Sequence, residues 1–143
     1  MSTEENKAKV RRVIEEAWNK GDLAVVDELL APNYVFHVPG NDFKGPEGLK
    51  QAVTMYRNAL PDLHVAIEDM FAEGDKVACR YTYRGTLKGE LMGIAPTGKQ
   101  FIVTGAAFMH FVGGKEVEAF NFFDQLSMSQ QLGVAPPVSP VGK

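Results

Sequence analysis

Apolar residues recur at helical spacing in the first 60 positions and, one short run at 33–38 apart, at strand spacing only after them. Val10, Val13, Ile14, Ala17 and Trp18 fall on one stripe behind Ser2 and Glu5, which sit three apart as in a capping box. Gly21 is placed to end that helix in a left-handed turn. Asp22 then caps a short second helix carrying Leu23, Val26, Leu29 and Leu30, and Pro32 stops it. A third helix begins at Pro46 and aligns Leu49, Val53 and Tyr56, with Ala52 and Met55 beside them. Pro61 forbids its continuation.

Alternation first appears at 33–38, before a loop at 39–45 rich in Gly, Pro and Asn. It returns at 63–71, 76–87, 99–112 and 115–124, all rich in β-branched and aromatic residues. Glu73-Gly74-Asp75 and Gly113-Gly114 read as hairpin turns. Helices followed by a meander of strands predict an α+β domain over 1–133, its helices on one face of an antiparallel sheet. The tail, 134–143, is Pro-rich and poor in large apolar groups, and reads as a flexible extension.

Composition narrows the function. A chain of 143 residues with 45% hydrophobic and 23% charged residues can bury a core without staples. Its net charge of −3, with acids and bases interleaved, leaves no basic stripe for nucleic acid. No apolar run approaches the roughly 20 residues that span a bilayer, and the polar amino terminus is unlike a signal peptide. A cytoplasmic protein is expected. Cys79 is alone and the three histidines are scattered, so neither a disulfide nor a zinc spacing is present.

Candidate chemistry concentrates in the last strands. Phe101, Phe108, Met109, Phe111, Phe120, Phe122 and Phe123 occupy both alternating faces, so both should be covered. One face packs on the helices, and the other is available to a second subunit, predicting a homodimer. Two ionisable groups, His110 and Asp124, lie in this apolar stretch. If the turn is the two glycines alone, His110 opposes Val117 and Asp124 falls on the other face. If Lys115 joins the turn, His110 opposes Glu118. Thr104, Ala106, Phe108, His110, Glu118, Phe120, Phe122 and Asp124 then point one way. That shared face is the favoured reading, subject to any bulge. A desolvated Asp124 would be a base towards carbon acids; alternatively it caps the short segment at 127–133. His37 and His64 read as solvated strand-end residues. The Gly-flanked loop at 89–98 carries Leu91, Met92 and Ile94, either as a pocket mouth or folded over the core.

As an ordered set, Gly85-Thr86-Leu87-Lys88-Gly89, Gly93-Ile94-Ala95-Pro96-Thr97-Gly98-Lys99, Asn121-Phe122-Phe123-Asp124-Gln125 and Gln130-Gln131-Leu132-Gly133 resemble the SnoaL-like polyketide cyclases. The resemblance implies the cone-shaped fold of nuclear transport factor 2, a strongly curved antiparallel sheet wrapped on three N-terminal helices around one apolar pocket. It implies ring closure by intramolecular aldol condensation without metal or cofactor. Asp124 matches the family's acid/base aspartate and His110 the histidine beside it. Leu87 and Phe123 stand where many relatives carry His and Trp, so two polar groups are missing. Expected pocket walls are Trp18, Phe36, Met55, Leu87, Leu91, Met92, Phe108 and Phe122, holding a hydrophobic small molecule. Three functions follow. One is a cyclase. Another is a natural or repurposed pocket for simple carbon-proton abstraction or isomerisation. The third is a non-catalytic binder of an apolar compound.

Overall fold

The computed structural model describes residues 2–134, and the expectation for the tail lies outside them apart from Val134. The first helical stripe becomes two elements, α1 (Thr3–Arg12) and a π-helical turn, Val13–Trp18. The capping box at Ser2 and Glu5 forms as expected. A π-turn closes bonds to the fifth residue back, as Asn19 N–H does to Ile14 C=O at 3.0 Å. This rotates Trp18 onto the same side as Val13. The turn is then pinned from outside. The Asn19 side chain exchanges two hydrogen bonds with the Val65 backbone, at 2.8 and 2.9 Å. The Arg57 guanidinium donates to the Trp18 and Asn19 carbonyls at 2.8 and 2.9 Å, where a helix end leaves carbonyls unpaired.

After α2 (Ala24–Leu29) the chain enters β1 (Leu30–Val38), β2 (Asn41–Lys44) and α3 (Gly45–Ala59). Four long strands follow: β3 (His64–Glu73), β4 (Lys76–Thr86), β5 (Gln100–Val112) and β6 (Lys115–Phe123), then α4 (Gln125–Gln131). Two expectations are corrected here. Pro32 lies inside β1 rather than stopping a helix, and it sits where the pairing of β1 with β6 jumps between Leu30 and Val35. Proline, lacking a backbone donor, is tolerated at such a break. The expected loop at 39–45 holds β2, folded back on β1 across Gly40 at φ 81°.

The six strands form one sheet in the order β2-β1-β6-β5-β4-β3. All pairs are antiparallel except β1 with β6, which is parallel. The inner face packs on the helices and carries Val77, Cys79, Tyr81 and Tyr83 from β4 and Phe101, Val103, Ala107, Met109 and Phe111 from β5, all buried. The architecture is the expected α+β cone, with three helices packed against a curved sheet. Among the described residues no helix is long and apolar enough to cross a membrane.

Candidate functional site

Between α1, the π-turn, α3 and the inner face of the sheet lies a cavity. Counting the solvent-filled space at its open mouth, it spans about 740 Å³. Val10, Val13, Ile14 and Trp18 line one side; Phe36, Val38, Leu63, Val65, Met109, Ala119 and Phe123 line the others. Trp18 packs against Phe36 and Tyr56 with ring centroids 5.8 Å away in each case. The polar lining consists of Tyr34, Tyr56, Tyr81, Tyr83, Asn121 and Glu116. Among the described residues Glu116 is the one carboxyl group in this lining, and no Lys, Arg or His joins it.

Glu116 reaches the cavity through a fault in the strand. The turn is the two-glycine one, since Val112 pairs with Lys115, yet His110 pairs with Glu118. Phe111 pairs with Glu116, so Val117 is the extra residue of a bulge. Simple alternation back from Ala119 would turn Val117 inward and Glu116 outward. The bulge reverses that, and Glu116 is left only 3% exposed. Burial disfavours its charged form and pushes its pKa up to about 8; a hydrogen bond from Tyr34 opposes the shift without cancelling it. The Tyr34 phenol is raised well above its ordinary value, by burial first and then by Glu116.

A second polar pair stands further along β6. Tyr81 donates to the Asn121 side-chain oxygen by crossing over β5. The crossing is possible because residue 105 is glycine: a Cβ there would meet the Tyr81 ring at 2.6 Å. Tyr56 and Tyr83 have raised pKa values, from burial first, so all four tyrosines stay neutral.

The expected catalytic pair is not in this cavity. Asp124 is exposed and is the N-cap of α4, its carboxylate accepting from Ser127 N–H at 3.0 Å. Of its two sequence readings, the structure has the cap. His110 bonds Asp75 at 2.9 Å on the outer face of the sheet, and that contact lowers the Asp75 pKa. The expected shared face exists as far as Phe122, but it is the outer one. Phe108 and Phe122, read as pocket walls, are 51% and 56% exposed there, their rings 6.3 Å apart. Trp18 and Phe36 do line the cavity. Met55 packs on the core without lining it, and Leu87 and Leu91 are fully buried elsewhere in the core. Met92 is exposed at a positive φ of 49°, its sulfur 3.6 Å from the Tyr56 hydroxyl. His37 lies outside the cavity too, bonded to Asp42 and Glu118 at 2.7 Å each and stacked on Phe120. Partial burial lowers its pKa, but the two carboxylates outweigh this and raise it.

The sequence reading missed Glu116, Tyr34, Tyr81 and Asn121 as site residues. Gly105 inside a strand was a usable signal of close approach. An acid in an aromatic strand was another. Among the described residues no group of three or more His, Cys, Asp or Glu could hold a metal ion.

Comparison with known proteins gives a consistent result. The family described as SnoaL-like polyketide cyclase matches residues 8–132. Aklanonic acid methyl ester cyclase AcmA from Streptomyces galilaeus is 30% identical over 132 residues, 88% of this chain and 89% of AcmA. Among solved structures, TsrD from Streptomyces laurentii superposes with a TM-score of 0.85 at 26% identity, covering 94% of this chain and 99% of TsrD. IdmH from Streptomyces antibioticus gives 0.76 at 32% identity, over 90% of this chain and 98% of IdmH.

Proposed function

Because the chain belongs to the SnoaL-like polyketide cyclase family, we propose that it closes a ring on a neutral, hydrophobic carbonyl compound. The chemistry is proton abstraction next to a carbonyl, followed by aldol-type attack on a second carbonyl, with no cofactor. One observation carries this reading: the cavity is walled by aromatic and aliphatic side chains, with one carboxyl group and no cation among the described residues of its lining. A bound anion would have no counter-charge and a cation would face a mostly protonated acid, so a neutral ligand is favoured. An ester of the kind named for AcmA meets that demand. Glu116 and Asn121 are five residues apart on β6, roughly 16 Å of strand at about 3.3 Å per residue before the bulge is allowed for. A ligand that addresses both polar positions is therefore elongated, as a fused-ring polyketide is.

Trp18 is the chain's one tryptophan and lines the cavity, so its fluorescence reports occupancy directly. Neutral polyketide esters and their free acids are titrated against it, and products are sought as isomers of unchanged mass. Ester binding with ring closure supports the proposal. Carbon-proton exchange without closure supports a simple proton-abstraction pocket instead. Binding with neither supports the non-catalytic reading.

The outer face fits a second copy of this chain. Its exposed Phe71, Phe108, Phe120 and Phe122 are flanked by both signs of charge, Arg80 and Lys76 beside Asp69, Asp75 and Glu118. A two-fold partner can set those acids against those bases.

A further inference from the structure

We infer that Glu116 moves the proton in this cavity: as carboxylate it takes hydrogen from carbon, and as carboxylic acid it returns it to the new alkoxide. The inference rests on the ring-closing reading above and assigns its chemistry to a residue outside the motifs that mark the family in this sequence. Glu116 is the one carboxyl group among the described residues of the cavity lining, and the strand bulge at Val117 is what aims it there. Bulges recur beside active sites because they re-aim a side chain.

The titratable groups that face it are few. Tyr34 comes from β1, and Cys79 from β4 feels its charge. The helical wall offers Val10 and Val13, which carry none. Both neighbours hold their protons far more tightly than a carboxylic acid, Cys79 because burial raises it to about 11. Neither competes with Glu116 for the proton near neutral pH. A base whose pKa lies near the working pH combines an accessible carboxylate with real driving force for proton transfer.

The electron count closes without a further reactant. The Glu116 carboxylate forms an O–H bond as the C–H bond beside the carbonyl breaks, and that electron pair passes into the enolate. The enolate carbon bonds to the second carbonyl carbon, whose π pair becomes an alkoxide. The alkoxide takes the proton from Glu116, which regenerates the carboxylate. Tyr34 has a part in the first step. Its hydroxyl is held by Glu116 while that group is ionised, and protonation of Glu116 frees it to donate to the enolate oxygen.

The first half of this cycle is measurable on its own, as deuterium uptake next to the carbonyl of 2-tetralone, a neutral bicyclic ketone, in D2O. The wild-type protein should catalyse uptake with a rate that rises with pH, is half-maximal near 8 and levels off above it. Glu116→Gln should lose about 10²- to 10⁴-fold, with 2-tetralone binding, read from Trp18, kept within about threefold. Glu116→Asp, which keeps the carboxyl group, should recover part of the loss. In parallel, the Glu116 side-chain carbon is followed by NMR titration, with Glu116→Gln assigning the signal.

Uptake by Glu116→Gln at the wild-type rate while Trp18 still reports binding overturns the inference. So does titration of Glu116 in the ordinary carboxylate range. Deuterium uptake without ring closure on any ester removes the cyclase reading and leaves Glu116 standing. Ring closure that survives Glu116→Gln does the reverse. A wild-type protein that does neither overturns both.

Discussion

Glu116 and Glu118 are two residues apart on one strand, yet they occupy opposite chemical worlds. Glu118 lies on the outer face, half exposed, with its carboxylate on the His37 ring at 2.7 Å. Glu116 lies on the inner face among aromatic walls, with Tyr34 as its hydrogen-bond partner and no cation beside it. In a perfectly alternating strand, residues two apart share a face. One inserted residue, Val117, separates them. What differs is therefore neither residue type nor local sequence but solvation and partner, and these decide whether an acid is a salt-bridge anion or a reserve of protons.

The largest effect that could break this contrast is in turnover. Glu116→Gln should cost about 10²- to 10⁴-fold in rate, whereas Glu118→Gln should leave turnover within a few-fold of wild type. If the two substitutions cost the same, the faces do not differ in the way their solvation implies.

Stability against pH sharpens the same contrast. The folded protein holds a proton on Glu116 up to about pH 8, while the unfolded chain releases it near its ordinary value of 4.5. Between those values the native state binds more protons than the unfolded one, so stability falls as pH rises and levels off above 8. The full decline is on the order of 3–5 kcal/mol. Glu116→Gln should flatten it in urea unfolding measured from pH 5 to 9. Asp75 on the outer face has the opposite sign: its pKa is lowered by His110, so its contribution is present at neutral pH and lost on acidification.

Much of this arrangement was legible in the chain and the decisive part was not. The helical stripe of Val10, Val13 and Trp18 and the four long strands follow from periodicity. The pairing of His110 with Glu118 was expected from a turn that includes Lys115, whereas the structure keeps the two-glycine turn and reaches the same pairing through the bulge. Which side the face running from Thr104 to Phe122 would take was not readable, because aromatic residues fill both alternating sets on β5 and β6, and hydrophobicity does not distinguish a helix-packed face from an exposed one. The bulge was not readable either. Nothing in Lys115-Glu116-Val117-Glu118 marks Val117 as the extra residue, and without it Glu116 reads as one more solvated acid. Asp124 misled for the converse reason, since an Asp after an apolar strand looks alike as a buried base and as a helix cap.

The outer face offers the next test. Phe108→Asp places a charge among exposed phenylalanines without touching the cavity. If two copies pair through this face, light scattering should show the mass falling from dimer to monomer, with association weakened at least about tenfold for a central aromatic contact. A monomeric wild-type protein would instead leave these phenylalanines as a patch with another occupant, and the chemical difference between the two sheet faces would not depend on assembly.

The smallest expected effect is at Asp124, and its smallness is informative. Asn caps helices about as well as Asp, so Asp124→Asn should shift stability by only a few tenths of a kcal/mol and leave turnover unchanged. Asp124→Ala removes the oxygen that accepts from Ser127 N–H and should cost about 1 kcal/mol in thermal or urea unfolding, still with unchanged turnover per folded molecule. A loss of turnover in Asp124→Asn comparable to that in Glu116→Gln would mean that the end of β6 swings inward during catalysis. The proton-handling role would then belong to the strand's end rather than to its bulge. Unchanged turnover in Asp124→Asn beside a collapsed one in Glu116→Gln separates the two acids by environment alone: one is exposed and spends its lone pairs on a helix end, the other is enclosed and keeps its proton.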